Sequence, residues 1–131
     1  MRNEKLYRRV VSWEEIPDEP VRRGVRRRGY ATDEVMLMWN VVEEGMEMLP
    51  HAHEDFDQLV CIYGGRCNYY VEGVPHPMGP GAMMLVPAGA EHYIEPLDSP
   101  CSNLDIFVPP REDYAGSLDW IEALKPLPAV R

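Results

Sequence analysis

Three of the chain's four histidines stand at spacings that suit a divalent metal ion. His51 and His53 are two residues apart, so on an extended strand both imidazoles project from one face. Gln58 follows a short acidic turn, Glu54-Asp55-Phe56-Asp57, and opens the apolar run Leu59-Val60-Cys61-Ile62-Tyr63. An antiparallel neighbour can place Gln58 across from the histidine pair. His92 starts a later strand, after Pro87 and Gly89 mark a tight turn. One isolated histidine is more often a satisfied core residue, but three in such a pattern favour one bound divalent ion. Imidazole-rich sites suit Zn, Ni, Fe or Mn, and spacing does not choose among them. Were Gln58 to join the histidines through its amide oxygen, with no carboxylate, an ion there would keep its full charge and be a stronger Lewis acid toward an anionic oxygen ligand. The fourth histidine, His76, lies between two prolines and reads as a surface residue in a turn.

A second group of reactive side chains lies near the end of the chain. In Asn103-Leu104-Asp105-Ile106-Phe107-Val108 the alternation sends Leu104, Ile106 and Val108 to one face and Asn103, Asp105 and Phe107 to the other. An aspartate in the middle of such a strand is costly to bury without a partner or a task. Val108-Pro109-Pro110-Arg111 then turns the chain and can fold Arg111 back over the same face. A carboxylate, an aromatic ring and an arginine near a Lewis-acid ion suit a small hydroxylated acid: Arg111 clamps a carboxylate, Phe107 stacks on a sugar face, and Asp105 moves a proton. The plain alternative is an Asp105–Arg111 salt bridge that closes the sheet.

The elements that must position these groups read as short strands. Val35 to Val42 is apolar on both faces, as in a strand covered on both sides. Further strands are expected near 47–52, 58–63, 66–72, 82–86, 91–95 and 102–108, with glycine or proline at several of the breaks. Gly64-Gly65 reads as a two-residue hairpin turn, which pairs Ile62 with Cys67 and sends Cys61 to the other side of the sheet. A Cys61–Cys67 disulfide is then unfavourable, and Cys61, Cys67 and Cys101 read as reduced, buried thiols. Ser12 to Ile16 fits a capping box with Glu15, ended by Pro17. Ser117 can cap a helix over Leu118–Leu124, ended by Pro126. The barrel core is placed at about 25–108, with an N-terminal arm over 1–24 and a C-terminal tail over 109–131. The tail is expected on the barrel exterior or against a partner subunit.

At 131 residues the chain has room for one domain, and its 45% apolar content fits a globular core. A net charge of -9 argues against a nucleic-acid partner and against an anionic membrane surface. The start lacks the apolar stretch of a signal peptide and no run is long enough to span a bilayer, so a cytoplasmic location is expected. Against this acidic background Arg22, Arg23, Arg26, Arg27 and Arg28 stand out. The plain reading pairs them with acidic residues on a solvated strand; the sharper one has alternate arginines lining a pocket mouth and drawing an anion. Arg66 is a further candidate for positive charge at that mouth.

The histidine segments read Gly45-x5-His51-x-His53-x4-Gln58-x6-Gly65 and Gly81-x5-Pro87-x-Gly89-x2-His92. They resemble the paired motifs of the cupin superfamily, G-x5-H-x-H-x3,4-E-x6-G and G-x5-P-x-G-x2-H-x3-N. Two positions depart: Gln58 replaces the acid, and Pro96 replaces the final asparagine. The resemblance implies an all-β fold, a single-domain cupin jelly-roll β-barrel with short N- and C-terminal helical segments, and a homodimer. A His-His-Gln-His site followed by Asp105-x-Phe107-x3-Arg111 looks like the KdgF-type uronate lyases of pectin and alginate breakdown. That likeness implies a metal-dependent conversion of 4,5-unsaturated monouronates to linear keto sugar acids. By motif position the metal ligands are His51, His53, Gln58 and His92, with Asp105 as general acid/base, Phe107 packing the substrate and Arg111 binding its carboxylate. Two other readings stand beside it: an iron-dependent cupin dioxygenase, and a non-catalytic sugar-acid-binding cupin.

Overall fold

Short strands of alternating burial build two antiparallel sheets that face each other across the core. The computed structural model describes residues 1–128. The larger sheet takes the order β1-β2-β3-β9-β4-β7, from β1 (Glu19–Arg22), β2 (Val25–Ala31), β3 (Met36–Val42), β4 (Gln58–Gly64), β7 (Met83–Val86) and β9 (Cys101–Phe107). The smaller sheet takes the order β6-β5-β8, from β5 (Cys67–Val71), β6 (Val74–Met78) and β8 (His92–Pro96). This two-sheet all-β architecture is a jelly roll, the fold the motif resemblance implies. Val25, Val42, Val60, Ile62, Tyr69 and Val86 lie between the sheets. Among the described residues no helix is long and apolar enough to cross a membrane.

One end of the large sheet extends past the small one, and helical segments cover it. The α-helices α1 (Arg2–Leu6) and α2 (Asp119–Glu122) contact each other. Leu6, Leu118 and Ile121 bury against Ala31, Met36, Met38 and Phe107. The tail therefore completes a second apolar core over strands of its own sheet.

Several local expectations are corrected. Residues 47–52 form no strand, and His51 joins the fold by a single bridge to His92. Gly64-Gly65 closes no hairpin, because β4 pairs with β7 and β9 while β5 lies in the other sheet. Ile62 and Cys67 are therefore not partners; Cys67 and Cys101 are buried, and Cys61 is only half-buried. His76 sits in edge strand β6, whose prolines pair opposite Asn68 and Tyr70, and its ring bonds the Tyr69 carbonyl at 3.1 Å. An edge strand tolerates proline because one of its sides needs no ladder donor.

Neither predicted side-chain cap forms. Trp13–Glu15 is one 3-10 turn, in which Glu15 N–H bonds the backbone carbonyl of Ser12, since Pro17 leaves no room for a longer helix. Ser117 Oγ instead donates to Glu19 Oε1 at 2.8 Å, and the tail runs as a 3-10 helix over Glu112–Leu118 before α2.

Gly65 has a φ of 73°, and a Cβ there would lie 2.7 Å from the Pro100 carbonyl oxygen. The chain crosses between sheets at this point, pressed against Pro100 and Cys101. Gly65→Ala is expected to destabilise the fold by about 2 kcal/mol or more, because it adds left-handed strain to a backbone clash. A lower urea midpoint at constant m-value checks this; an unchanged midpoint shows that the crossover relaxes.

Candidate metal centre

The loop carrying His51 and His53 is stitched to the loop entering β8. His51 N–H bonds the His92 carbonyl at 3.1 Å, and His92 N–H returns a bond to the His51 carbonyl at 2.8 Å. Gly89 N–H donates to the His53 carbonyl at 2.7 Å, and Asp57 accepts from Ala88 N–H at 2.8 Å. Main-chain bonds thus do for His51 and His53 what strand register was expected to do. The three histidines gather with their ligand atoms within 4.8 Å of one another.

Their protonation suits a cation. Burial lowers the pKa of His51 and His92, and burial together with the Arg111 charge brings His53 to about 4. All three are neutral at pH 7. The Nδ1 atoms of His51 and His92 lie 2.8 and 2.9 Å from the carbonyls of Leu49 and Ala90. Nδ1 is therefore the donor on both rings, and each Nε2 carries the lone pair. His92 is 1% exposed, and its Nε2 has no hydrogen-bond partner among the described residues. Gln58 Oε1, on β4 opposite Val86, is likewise buried without a partner. Two orphaned buried acceptors beside two further imidazoles is the arrangement a divalent ion would satisfy. The donor set fits a metal.

Asp105 stands behind Gln58. Its carboxylate accepts from Asn103 Nδ2 at 2.9 Å and from Asn40 Nδ2 at 3.0 Å. The Gln58 Nε2 donates to the Tyr69 hydroxyl at 3.4 Å. Burial pushes the Asp105 carboxyl up to about 7 despite these donors. His51, Asn40, Asn103 and Asp105 line one cleft between the sheets, of about 80 Å³. That space takes roughly half a dozen waters, or a ligand no larger than a monosaccharide.

Phe107 and Arg111 occupy the wall beside His53 rather than the cleft. Phe107 is buried edge-on to His53, with centroids 5.6 Å apart and planes at 89°, and also meets Phe56 and Tyr114. It buttresses a candidate ligand, so the expected stacking surface for a sugar is not open. Arg111 Nη1 lies 3.2 Å from His53 Nε2 and 3.1 Å from the Tyr114 hydroxyl, while Nε and Nη2 bind the Asp113 carboxylate. No Asp105–Arg111 ion pair forms. Arg66 is exposed and paired with Asp98, and does not line the cleft.

The arginine cluster divides by strand face. Arg26 pairs with Asp18 and Arg27 with Glu19, as on a solvated strand, yet Arg22 and Arg27 also line the cleft. Asn40, Tyr69 and Tyr114 were not singled out from sequence. Asn40 carried a signal, being the one amide in an otherwise apolar strand.

The cupin domain family (Cupin_2) matches residues 38–107. The pectin degradation protein KdgF of Dickeya dadantii (strain 3937) is 24% identical over 103 residues, covering 78% of this chain and 89% of its own. The HTH-type transcriptional activator RhaS of Mannheimia succiniciproducens is 30% identical over 82 residues, or 61% of this chain. The match spans only 31% of that regulator's length. The structure of KdgF from Halomonas sp. superposes with a TM-score of 0.71 at 26% identity, covering 79% of this chain and 98% of that one. The polyketide cyclase RemF of Streptomyces resistomycificus, at 19% identity and a TM-score of 0.65 over 77% of this chain and 78% of its own, shares the fold.

Proposed function

Since the chain belongs to the cupin family, we propose that it is a metal-dependent enzyme converting a 4,5-unsaturated monouronate to its linear keto form. The observation that carries this reading is Asp105: a carboxyl that burial holds near pH 7 in a small cleft it shares with the candidate ligand His51. The likeness to two KdgF proteins supports the substrate class. A divalent ion held by His51, His53, Gln58 and His92 would act as a Lewis acid toward a substrate oxygen.

Ring opening of such a uronate is an isomerisation. The anomeric hydroxyl loses a proton, the bond between C1 and the ring oxygen breaks with its electron pair going to that oxygen, and the enolate so formed gains a proton at C4 as it becomes a ketone. No proton is consumed overall, so one carboxyl serves both transfers. Asp105 takes the hydroxyl proton and delivers one to C4. Asn40 and Asn103 hold its oxygens in place, which fixes the direction of transfer. Phe107 keeps His53 from rotating, and Arg111 places positive charge beside that ring. We also take the active form to be a homodimer in the cytoplasm.

The test loads the chain with Zn, Ni, Fe or Mn in turn and follows the enoate ultraviolet absorbance of unsaturated galacturonate. The expected result is metal-dependent loss of absorbance with no oxygen uptake. Oxygen uptake in its place points to a dioxygenase. The likeness to a transcriptional activator supports a second reading in which the cleft only binds a metabolite. Ligand binding without turnover under all four ions is the outcome that favours it.

A further inference from the structure

Arg111, the arginine that family likeness assigns to the substrate carboxylate, already has its guanidinium engaged by Asp113 and Tyr114. Arg27 is differently placed. Its Nε bonds Glu19 Oε1 at 2.7 Å, and among the described residues neither terminal nitrogen has a hydrogen-bond partner. Glu19 Oε1 also accepts from Ser117 Oγ at 2.8 Å, which fixes the carboxylate that holds Arg27. The Arg27 Cζ rests over the Tyr114 ring, 4.5 Å from its centroid, and the Arg111 Cζ lies 4.2 Å from the same centroid. Glu19, Ser117 and Tyr114 thus orient a guanidinium whose outer edge is uncommitted.

Sheet register shows where that edge faces. Arg27 on β2 is the cross-strand partner of Asn40 on β3, and Asn40 is the partner of Asn103 on β9. Directly opposite residues share a face, with Cβ atoms about 5 Å apart. Arg27 therefore stands in the row whose two amides hold Asp105, and it lines the same cleft. Its side chain is only 20% exposed. A partly desolvated arginine with two free parallel donors matches the bidentate geometry of a carboxylate.

We propose that Arg27 is the residue that selects an anionic, carboxylate-bearing ligand for this cleft, across from the metal ligands. The inference rests on the sugar-acid reading of the site and names the group that recognises the acid. Arg27 supplies locally the positive charge that a chain of net charge -9 lacks overall.

The test titrates the Zn-loaded chain calorimetrically with saturated galacturonate and with its uncharged primary amide, and measures turnover of unsaturated galacturonate in parallel. Wild type is expected to prefer the acid by about tenfold or more, the scale of one charge-assisted bidentate contact. Arg27→Gln should lose about tenfold of that preference, leaving only what the ion itself contributes, with amide affinity and zinc stoichiometry unchanged. Arg27→Lys, which keeps the charge and loses the fork, should recover part of the preference and shows that the loss is not misfolding. Arg26→Gln, on the opposite face of β2, should match wild type. An acid preference that survives undiminished in Arg27→Gln, or is lost in Arg111→Gln instead, overturns the proposal, as does its absence from wild type. An Arg27-dependent preference without turnover keeps the clamp and removes the lyase reading.

Discussion

Replacing His92 by alanine is expected to abolish stoichiometric binding of a divalent ion while the metal-free chain stays folded. The two functions of this residue reside in different atoms. Its backbone makes both halves of the bridge to His51, and those bonds survive loss of the ring. The ring itself bonds only the Ala90 carbonyl, and its Nε2 is buried and unpartnered. Truncation therefore removes a polar atom that the metal-free fold leaves unsatisfied, next to a cleft from which water can enter. Losing one of four ligands should cost at least about a hundredfold in affinity, beyond the tenfold to hundredfold cost of losing an outer-shell partner. Thermal melts read this directly. A ligand at a hundred times its dissociation constant stabilises by about 2.7 kcal/mol, on the order of 10 °C for a chain of this size. Wild type should show such a shift with Zn or Ni, and His92→Ala should show none. A full shift in the variant would place the ion elsewhere.

How far the site could be read in advance depends on which residues carried it. The motif spacing did not require the right backbone. His51-x-His53 was expected on a strand, whereas the chain there is a loop pinned by one bridge and by Gly89. Both conformations bring the imidazoles to one place, so the spacing survived a wrong local assignment. Gln58 and Asp105 were legible for a physical reason: each is a polar residue at an inward position of an apolar strand. Asn40 met the same criterion within Val35–Val42 and was passed over among its apolar neighbours.

Gly64-Gly65 shows the limit of local reading. Two glycines permit a hairpin and a crossover equally well, and only the distant Pro100 and Cys101 decide between them. The edge position of β6, which makes Pro75 and Pro77 acceptable, is likewise a property of the assembled sheet. Arg27 differs from Arg26 and Arg28 only in which face of β2 it occupies. That parity is fixed by pairing with Asn40, whose strand lies next to that of Asp105.

Asp105→Asn should lower kcat on unsaturated galacturonate by about a hundredfold to ten-thousandfold, with zinc binding retained. The substitution preserves volume, so the cleft keeps its shape and any loss is chemical. It replaces an oxygen by an amide nitrogen between two amide donors, Asn40 and Asn103. One donor then faces another, a local cost of about 1–3 kcal/mol, offset in part because a carboxyl no longer has to be buried. The net effect on stability is therefore small beside the kinetic one, and the melting curve separates the two. An asparagine cannot take a proton from the anomeric hydroxyl or return one to C4, whereas a carboxyl held near 7 does both at neutral pH. Single-turnover decay of the enoate absorbance is the measurement, since it isolates the chemical step from product release. Retention of the wild-type rate would reduce Asp105 to an anchor for Asn40 and Asn103, and its burial would then serve to order the cleft wall instead of moving a proton.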